Sequence, residues 1–530
     1  MTDTAALNHN LVRRVNLGDT LTRSAARAPR ATAVVDGERR LTYADLNAAV
    51  NRCAHGLAAR GLARGDSLAL MSGNSADFLI TYYACAKLGV VCVPVNLSWR
   101  AEETAYVLRH SGARGIVAET QLLDAALAAL AGAPDVTERI LAPGTVDAAG
   151  PAPDGWTAFA DLLAAGHADE PEVYVEDRDA ISYLYTSGTT AAPKGVVGSH
   201  LAITMSSMSG AIDMRLTADE RMGAMMPFFH TAQLNAFITP VLLVGGAVHV
   251  MRGFDAAALL ERIEAERLTL VFGLPMMYRE LLDHPDVAAR DLSSLRLAFY
   301  AMAPMPDADV RRALDVLGCD LALLFGQTEM SPITTIFRPE HQLSHMGSVG
   351  TPALGTRVAI MAEDGTLLPQ GETGEIVYRG PNALEGYLHD EAATDAALAH
   401  GWFHSGDLGR FDEDGVLWFA DRRKDVIKTG GENVASIEVE KALYAAVPEL
   451  AEVVVVGLPH PRWTEAITAV VVPRPGADVA PDAVIAAVRA HLSPFKVPKA
   501  VVVCDALPKT STGKVQKHVL RAEHAGLYDA

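Results

Sequence analysis

The chain has only five cysteines in 530 residues: Cys53, Cys85, Cys92, Cys319 and Cys504. Their number is odd, they are scattered, and no two have CxxC spacing. That excludes a disulfide framework or a cysteine zinc site and points to reduced core thiols. Basic residues are the minority, with 45 Lys and Arg against 64 Asp and Glu and a formal charge of −19. Such a surface does not sheathe nucleic acid or an anionic membrane, although a local basic pocket for phosphates is compatible with it. Long apolar runs are missing. The longest, 236–250, is interrupted by Pro240, Gly245, Gly246 and His249, and it falls short of the ~20 residues a spanning helix needs. The first ten residues are polar, without the apolar region of a signal peptide. Leu527 to Ala530 carry no lipidation or retention signal. A cytoplasmic location is expected.

What is present is ample core material, since half of the residues are apolar. At roughly 150 residues per domain, the length suits about three or four packing units. Residues 1 to about 180 alternate helices and short buried strands. Ala44 to Leu62 has helical spacing, Ser67 to Met71 and Val90 to Val95 read as strands, and Tyr82 to Leu88 reads as the helix between them. This β–α–β rhythm predicts a covered, mainly parallel sheet. Residues 121–160, rich in Ala, Gly and Pro, read as surface connections.

The rhythm continues in Leu268 to Phe272, Leu295 to Tyr300 and Leu321 to Phe325, each running into a Gly- or Pro-containing loop of the kind that holds ligands in α/β proteins. Glycine-punctuated β-rich runs over 347–420 predict hairpins or a small barrel. The charged run Asp421 to Asp425 marks a boundary. Beyond it Ser436 reads as the cap of a helix through Tyr444, and Val453 to Val456, Ala466 to Val472 and Ala500 to Cys504 read as strands.

The strongest chemical signal is Tyr185-Thr-Ser-Gly-Thr-Thr-Ala-Ala-Pro-Lys-Gly195, following the strand-like Ala180 to Leu184. Four hydroxyls, open backbone N–H groups and one ammonium are phosphate-binding groups. The loop is not a Walker A loop, because Gly195 rather than Ser or Thr follows Lys194.

This loop resembles the signature of the adenylate-forming superfamily, which includes acyl-CoA synthetases, nonribosomal adenylation domains and luciferases. Further motifs recur in that family's order: Pro227 to His230, Phe325 to Glu329, Gly374 to Gly380, Trp402 to Asp407, Asp421 to Lys428, Gly430-Gly431 and Pro508 to Lys514. The resemblance covers nearly the whole chain. It implies an α/β protein with a large N-terminal domain (1–423) of covered sheets and a β-rich subdomain, and a small mobile α+β domain (424–530). The implied partners are a carboxylic acid, ATP with Mg²⁺, and CoA. A carboxylate attacks the α-phosphate of ATP to give acyl-AMP and pyrophosphate, and a thiol then displaces AMP. An anion attacking a polyanion needs cations nearby. At ~4 Å and an effective dielectric near 20, each pairing is worth about 4 kcal/mol.

The resemblance assigns roles by position. Thr186, Ser187, Gly188, Thr189, Thr190 and Lys194 hold phosphates. Glu329 is the Mg²⁺ ligand, with Thr186 near the metal. Ala303, Gln327 and Thr328 line the adenine and phosphate side. Asp407 accepts hydrogen bonds from the ribose hydroxyls, by the logic of the acidic residue in dinucleotide folds, and Arg422 also contacts the ribose. Lys514 reaches the carboxylate and α-phosphate during adenylation, a role suited to a point charge on a flexible stem. Lys424 is the hinge, Lys428 contacts AMP phosphate, and the two small residues Gly430 and Gly431 let pantetheine pass near the backbone. His230 gates the acid pocket from the CoA tunnel. Arg100, Arg252 and Arg462 are the candidates for CoA's nucleotide.

Three positions depart from the family pattern: Ala191 and Thr464 replace usual glycines, and Met302 adds bulk near the adenine and acid region. The acid pocket is expected to draw on His230, Phe229, Met302, Gly326 and Met330, with Phe228, Phe272, Met276, Met277 and Met305 as further apolar candidates. No basic residue stands in these stretches for a second carboxylate, so an apolar monocarboxylate is favoured over malonate. A fatty acid leads, with aryl and polycyclic acids open. Carrier-protein loading, a silent ligand-binding homologue and a phosphoryl-transferring NTPase are the competing functions. A homodimer remains open.

Overall fold

The computed structural model describes residues 4–144, 152–186, 193–301, 305–510 and 513–529. Two large sheets sandwich a helix. The first has nine strands, in the spatial order 351–352, 333–337, 320–326, 297–300, 270–273, 221–224, 247–250, 32–36, 39–42. Its centre is parallel, pairing Val34 with Val248, Met222 with Leu270, and Phe272 with Phe299. The second has eight strands, ordered 386–387, 194–199, 180–186, 91–94, 67–71, 113–119, 138–142, 157–158.

Helix Ala76–Leu88 is buried along its whole length, as a helix apolar on every side must be. Ser75 caps its start by accepting from the Phe78 N–H, and Gly89 ends it at φ 70°. Phe78, Tyr82 and Tyr83 join Leu68 and Cys92 of one sheet and Val34, Val248 and Phe272 of the other in a single core. All five cysteines are free thiols, and four of them are buried.

A four-stranded antiparallel sheet follows, from 357–361, 374–379, 403–411 and 417–422. It takes the hairpin alternative of the two read from the glycines. A separate five-stranded sheet takes every strand from 427–503 and has its own core around Val439, Leu443, Val455 and Val471. The architecture is thus the expected α/β one, a large N-terminal part of several sheets and a small C-terminal part.

Two local readings change. Residues 121–160 are more than connections: helix Leu123–Leu130 and strand Glu138–Ala142 bury Ala126, Ala129, Leu130 and Leu141. Alanine-rich composition hid a small-residue helix that packs closely. Ser436 is the first residue of helix Ser436–Ala446 rather than its cap. The cap is supplied from a distance, because the Asp421 carboxylate accepts from the Ser436 N–H across the charged run. The Ser436 hydroxyl instead meets the Lys517 ammonium at 2.6 Å.

Asp421 also accepts from the Arg422 N–H and is 1% exposed. Asp421→Ala should therefore leave two donors poorly satisfied and cost about 1–3 kcal/mol, read as a lower midpoint for the first transition in a thermal melt.

Candidate active site

The site forms where strand ends meet. Strands 270–273, 297–300 and 320–326 run parallel and finish together at Gly273, Tyr300 and Gly326. Open α/β sheets bind ligands in the crevice beyond such ends. Gly326 has no substitute there: a Cβ would stand 1.8 Å from the Pro332 carbonyl oxygen. That approach turns the chain sharply into the short helix Thr328–Met330 carrying Thr328, Glu329 and Met330.

Thr186 and Lys194 face each other as an antiparallel pair, so the phosphate-type loop is pinched at its base. Ser187, Gly188, Thr189, Thr190 and Ala191 lie outside the described residues, as do Met302 and Ala303. Lys194 stands 3.3 Å from Asp390 and 5.0 Å from the centre of the Tyr387 ring.

Gln327 enters the site with its side-chain Nε2 buried and without a hydrogen-bond acceptor among the described residues. An orphaned donor of this kind suits a heterocyclic acceptor such as adenine. Asp407 and Arg422 are cross-strand partners of the antiparallel pair 403–411 and 417–422, with Arg422 Nε 3.6 Å from Asp407 Oδ1. One register therefore presents a carboxylate and a guanidinium side by side.

Lys514 is brought to this cluster from the far end of the chain. The Thr510 hydroxyl accepts from its N–H at 3.2 Å, and Gly513 packs so close to Leu274 that a Cβ would lie 2.4 Å from the leucine Cδ1. Lys514 stays open to solvent along the cleft, yet protein crowds it. That crowding, then the charge of Arg422, lowers its pKa to about 8 against the pull of Asp407 and Glu329. Burial raises Asp407 to about 6 despite Arg422 and Lys514.

His230 is half-buried, and burial followed by the Lys514 charge lowers it to about 3. Its Nδ1 accepts from the Ala232 N–H at 3.2 Å, so the proton of the neutral ring sits on Nε2. His230 is thus a fixed neutral donor and not a base at neutral pH.

Glu329 Oε1 accepts from the Tyr387 hydroxyl at 3.1 Å. Among the described residues no hydrogen bond engages its other oxygen, and no group of three or more His, Cys, Asp or Glu gathers as a metal cage. One hard carboxylate beside nucleotide phosphates is the donor set Mg²⁺ takes, so the residues fit that ion.

Other expected residues flank this cluster or lie beyond it, and Lys424 is near enough for its charge to act on Lys514. Lys424 is exposed in the turn after Arg422, and Lys428 is exposed on strand Ile427–Thr429. Gly430 and Gly431, at φ 60° and 90°, form the tight turn of the hairpin to strand Glu432–Val434. The Gly430 N–H donates to the Trp463 carbonyl, and open space adjoins Gly431.

Of the arginines proposed for CoA, Arg252 is engaged by buried Glu119 at 2.7 Å and Arg462 lies over Trp463. The Arg100 N–H is held by Glu103 at a helix start. In the acid region Phe229 is half-buried and Met330 buried. Phe272 is spent on the core, stacked at 4.5 Å on Phe237. Met276 turns outward, 45% exposed, to meet Lys509. Sequence reasoning missed Tyr387, Asp390 and Leu274. For Tyr387 the available signal was a Gly-Tyr pair isolated between two recognised motifs.

This arrangement is that of a nucleotide-dependent ligase, and comparison places it. The AMP-binding enzyme model matches residues 21–388, and the AMP-binding enzyme C-terminal domain model matches residues 438–514. The chain is 37% identical over 510 residues to a feruloyl-CoA synthase of Amycolatopsis sp, covering 96% of this chain and 99% of that one. It is 34% identical to the indoleacetate–CoA ligase of Aromatoleum aromaticum (96% and 98% covered) and 33% to the long-chain-fatty-acid–CoA ligase FadD13 of Mycobacterium tuberculosis (96% and 99%). Among solved structures, ATP-bound MatB from Rhodopseudomonas palustris superposes with a TM-score of 0.89 at 29% identity, covering 97% of this chain and all of the other. The chain belongs to the AMP-binding enzyme family and is an AMP-forming acid–thiol ligase.

The two shifted groups set a pH window. The Asp407 carboxyl is protonated and loses acceptor strength below about 6, and Lys514 loses its charge above about 8. kcat/KM for acid-dependent pyrophosphate release, which reports the free enzyme, should rise through the first value and fall through the second. Asp407→Asn should abolish the acid limb and keep the alkaline one.

Proposed function

We propose that the protein is an ATP-dependent acid–CoA ligase for an apolar monocarboxylic acid. The observation that carries this reading is the convergence of Lys514, from the small C-terminal part, on His230, Asp407, Arg422 and Glu329 of the large part. The proposed domain boundary falls at 423/424, with Lys424 as hinge.

In the first half-reaction an oxygen of the acid attacks the α-phosphorus, and the bond to the pyrophosphate oxygen breaks. Lys514 sits between the two anions and offsets their repulsion. Asp407 and Arg422 hold the ribose, Gln327 and Thr328 with Ala303 hold the adenine side, and Thr186 through Thr190 with Lys194 hold the phosphates. Glu329, with Thr186, would hold the Mg²⁺ that enters with ATP and adds positive charge at the phosphates.

In the second half-reaction the CoA sulfur attacks the acyl carbon, and the carbon–oxygen bond to AMP breaks. The C-terminal domain turns about Lys424, withdrawing Lys514 and bringing Lys428 and the Gly430-Gly431 turn to the tunnel guarded by His230. The thiol needs no strong base, since water takes its proton.

Phe229 and Met277 pack against one apolar core and Met305 and Met330 within another, so the stretches around His230 and Glu329 carry no charged side chain of their own for a second carboxylate, which supports an apolar acid. Relatives named for feruloyl, indoleacetate and long-chain fatty acyl groups support both aryl and fatty members of that class.

Mass spectrometry after incubation with ATP, Mg²⁺, CoA and a panel of aryl, fatty and polycyclic acids should find acyl-CoA and AMP. Acyl-AMP alone would transfer the case to carrier-protein loading, and ADP would revive the NTPase. Lys514→Ala should depress adenylate formation by about two to three orders of magnitude, the scale of a lost electrostatic stabiliser, and spare thiolation of supplied acyl-AMP. Equal loss in both halves would defeat the two-conformation scheme.

A further inference from the structure

Tyr387 occupies a singular place beside this site. It lies in the two-residue strand Gly386–Tyr387, which pairs with Val196 and Val197 of the strand that begins at Lys194. The Leu388 N–H donates to the Gly195 carbonyl at 2.8 Å and the Glu385 N–H to Val197 at 2.9 Å. Gly195 permits the contact, since a Cβ there would already press at 3.3 Å on Leu388. Upstream, the Leu384 N–H donates to the carbonyl of Glu329 itself at 2.7 Å. The segment 384–388 is therefore tied by backbone both to the strand that carries Lys194 and to the turn that carries Glu329.

Its side chain repeats the connection. The Tyr387 hydroxyl donates to Glu329 Oε1 at 3.1 Å, and its ring lies 5.0 Å from the Lys194 ammonium. Glu329 and Lys194 carry opposite charges and lie within reach of one side chain. Left alone, such a pair gains by closing on itself, and a closed pair offers neither charge to a ligand. The ring lies under the ammonium while the hydroxyl holds the carboxylate, so one neutral side chain gives each charge its own contact and opposes that closure. Asp390 holds Lys194 on its other side at 3.3 Å, but both side chains are substantially solvated, at 33% and 40% exposed. Such a contact is readily exchanged for phosphate.

We propose that Tyr387 is a positioning residue for adenylate formation, aiming Glu329 with its hydroxyl and keeping Lys194 apart from it with its ring. The inference rests on the ligase reading above and deepens it. It assigns the hydroxyl the metal-dependent part of nucleotide binding, the ring the metal-independent part through Lys194, and neither a part in acid recognition.

The test is calorimetric titration of ATP into the full chain without acid, in Mg²⁺ and again in EDTA. For Tyr387→Phe, which keeps the ring and the strand, affinity in Mg²⁺ should fall about tenfold, the scale of a hydrogen bond to a charged group. Affinity in EDTA should stay that of the wild type. In a Glu329→Gln background, Tyr387→Phe should add little. Tyr387→Leu, which opens the gap between the charges, should weaken binding in both buffers.

Unchanged Mg²⁺-dependent affinity in Tyr387→Phe overturns the proposal, and so does an equal loss with and without Mg²⁺, which a merely structural tyrosine would give. A wild-type chain that binds MgATP but makes no acyl-AMP would refute the ligase reading while leaving the binding comparison intact. A wild-type chain that does not bind MgATP would refute both.

Discussion

On the proposed reading, everything at this site follows from the repulsion between a carboxylate and a nucleotide's phosphates. The cation proposed to meet it, Lys514, is one that its own surroundings disfavour. Arg422 and Lys424 repel Lys514, and crowding penalises its charge, while Asp407 and Glu329 only partly compensate. The ammonium is thus held in a position where it lacks enough negative charge. On that reading a triphosphate supplies the missing charge, so binding ATP and docking Lys514 would strengthen each other, as linked equilibria do. Once pyrophosphate leaves, much of the charge leaves with it. On the proposed reading, the step that consumes ATP also weakens the hold on the C-terminal domain.

The seam between the two parts suits such a release. It contains the Gly513 contact with Leu274, an Arg279 bond to the Ala451 carbonyl at 2.7 Å, a Lys441 bond to the Gly347 carbonyl at 3.3 Å, and the Lys509 approach to Met276. Most are polar and near solvent, and they resemble a transient interface more than a core. Near the charged run the contacts are of a different kind. Asp421 is buried and bonded to both Arg422 and Ser436, and Arg521 holds Asp425 at 2.8 Å. The chain is held on both sides of Lys424, so the proposed rotation would fall on few bonds and would have to break the Asp421 contact with Ser436.

The strands were legible wherever burial left an apolar run: Ser67–Met71 was read to the residue, and the parallel strands ending at Gly273, Tyr300 and Gly326 were read within a few residues. The helix in 121–160 was not legible, because alanine does not distinguish a packed helix from a small-residue connection. Individual site residues were legible through motifs, which record chemistry in a short span. Cross-chain partners were not. The Asp421 cap on Ser436, the seat of Gly513 on Leu274 and the Tyr387 bond to Glu329 join positions 15, 239 and 58 residues apart. No local pattern encodes such pairings. Met276, of the expected chemistry in the expected stretch, is instead half-exposed beside Lys509 of the C-terminal part, another pairing that no local pattern shows.

Thr464, flagged as a departure, has a structural consequence. It adopts φ 69°, a left-handed conformation that a β-branched residue enters at a cost of about 1–3 kcal/mol. It stands opposite His460 on one neighbouring strand and Thr429 on the other. Thr429 leads directly into Gly430, whose N–H is held by the carbonyl of Trp463, the residue before Thr464. The strained position and the glycine turn are therefore one device. The twist that Thr464 is forced to take sets where the Trp463 carbonyl points, and that carbonyl fixes the start of the Gly430-Gly431 turn. A glycine at 464 would adopt the same angle without strain but also without a side chain to limit it.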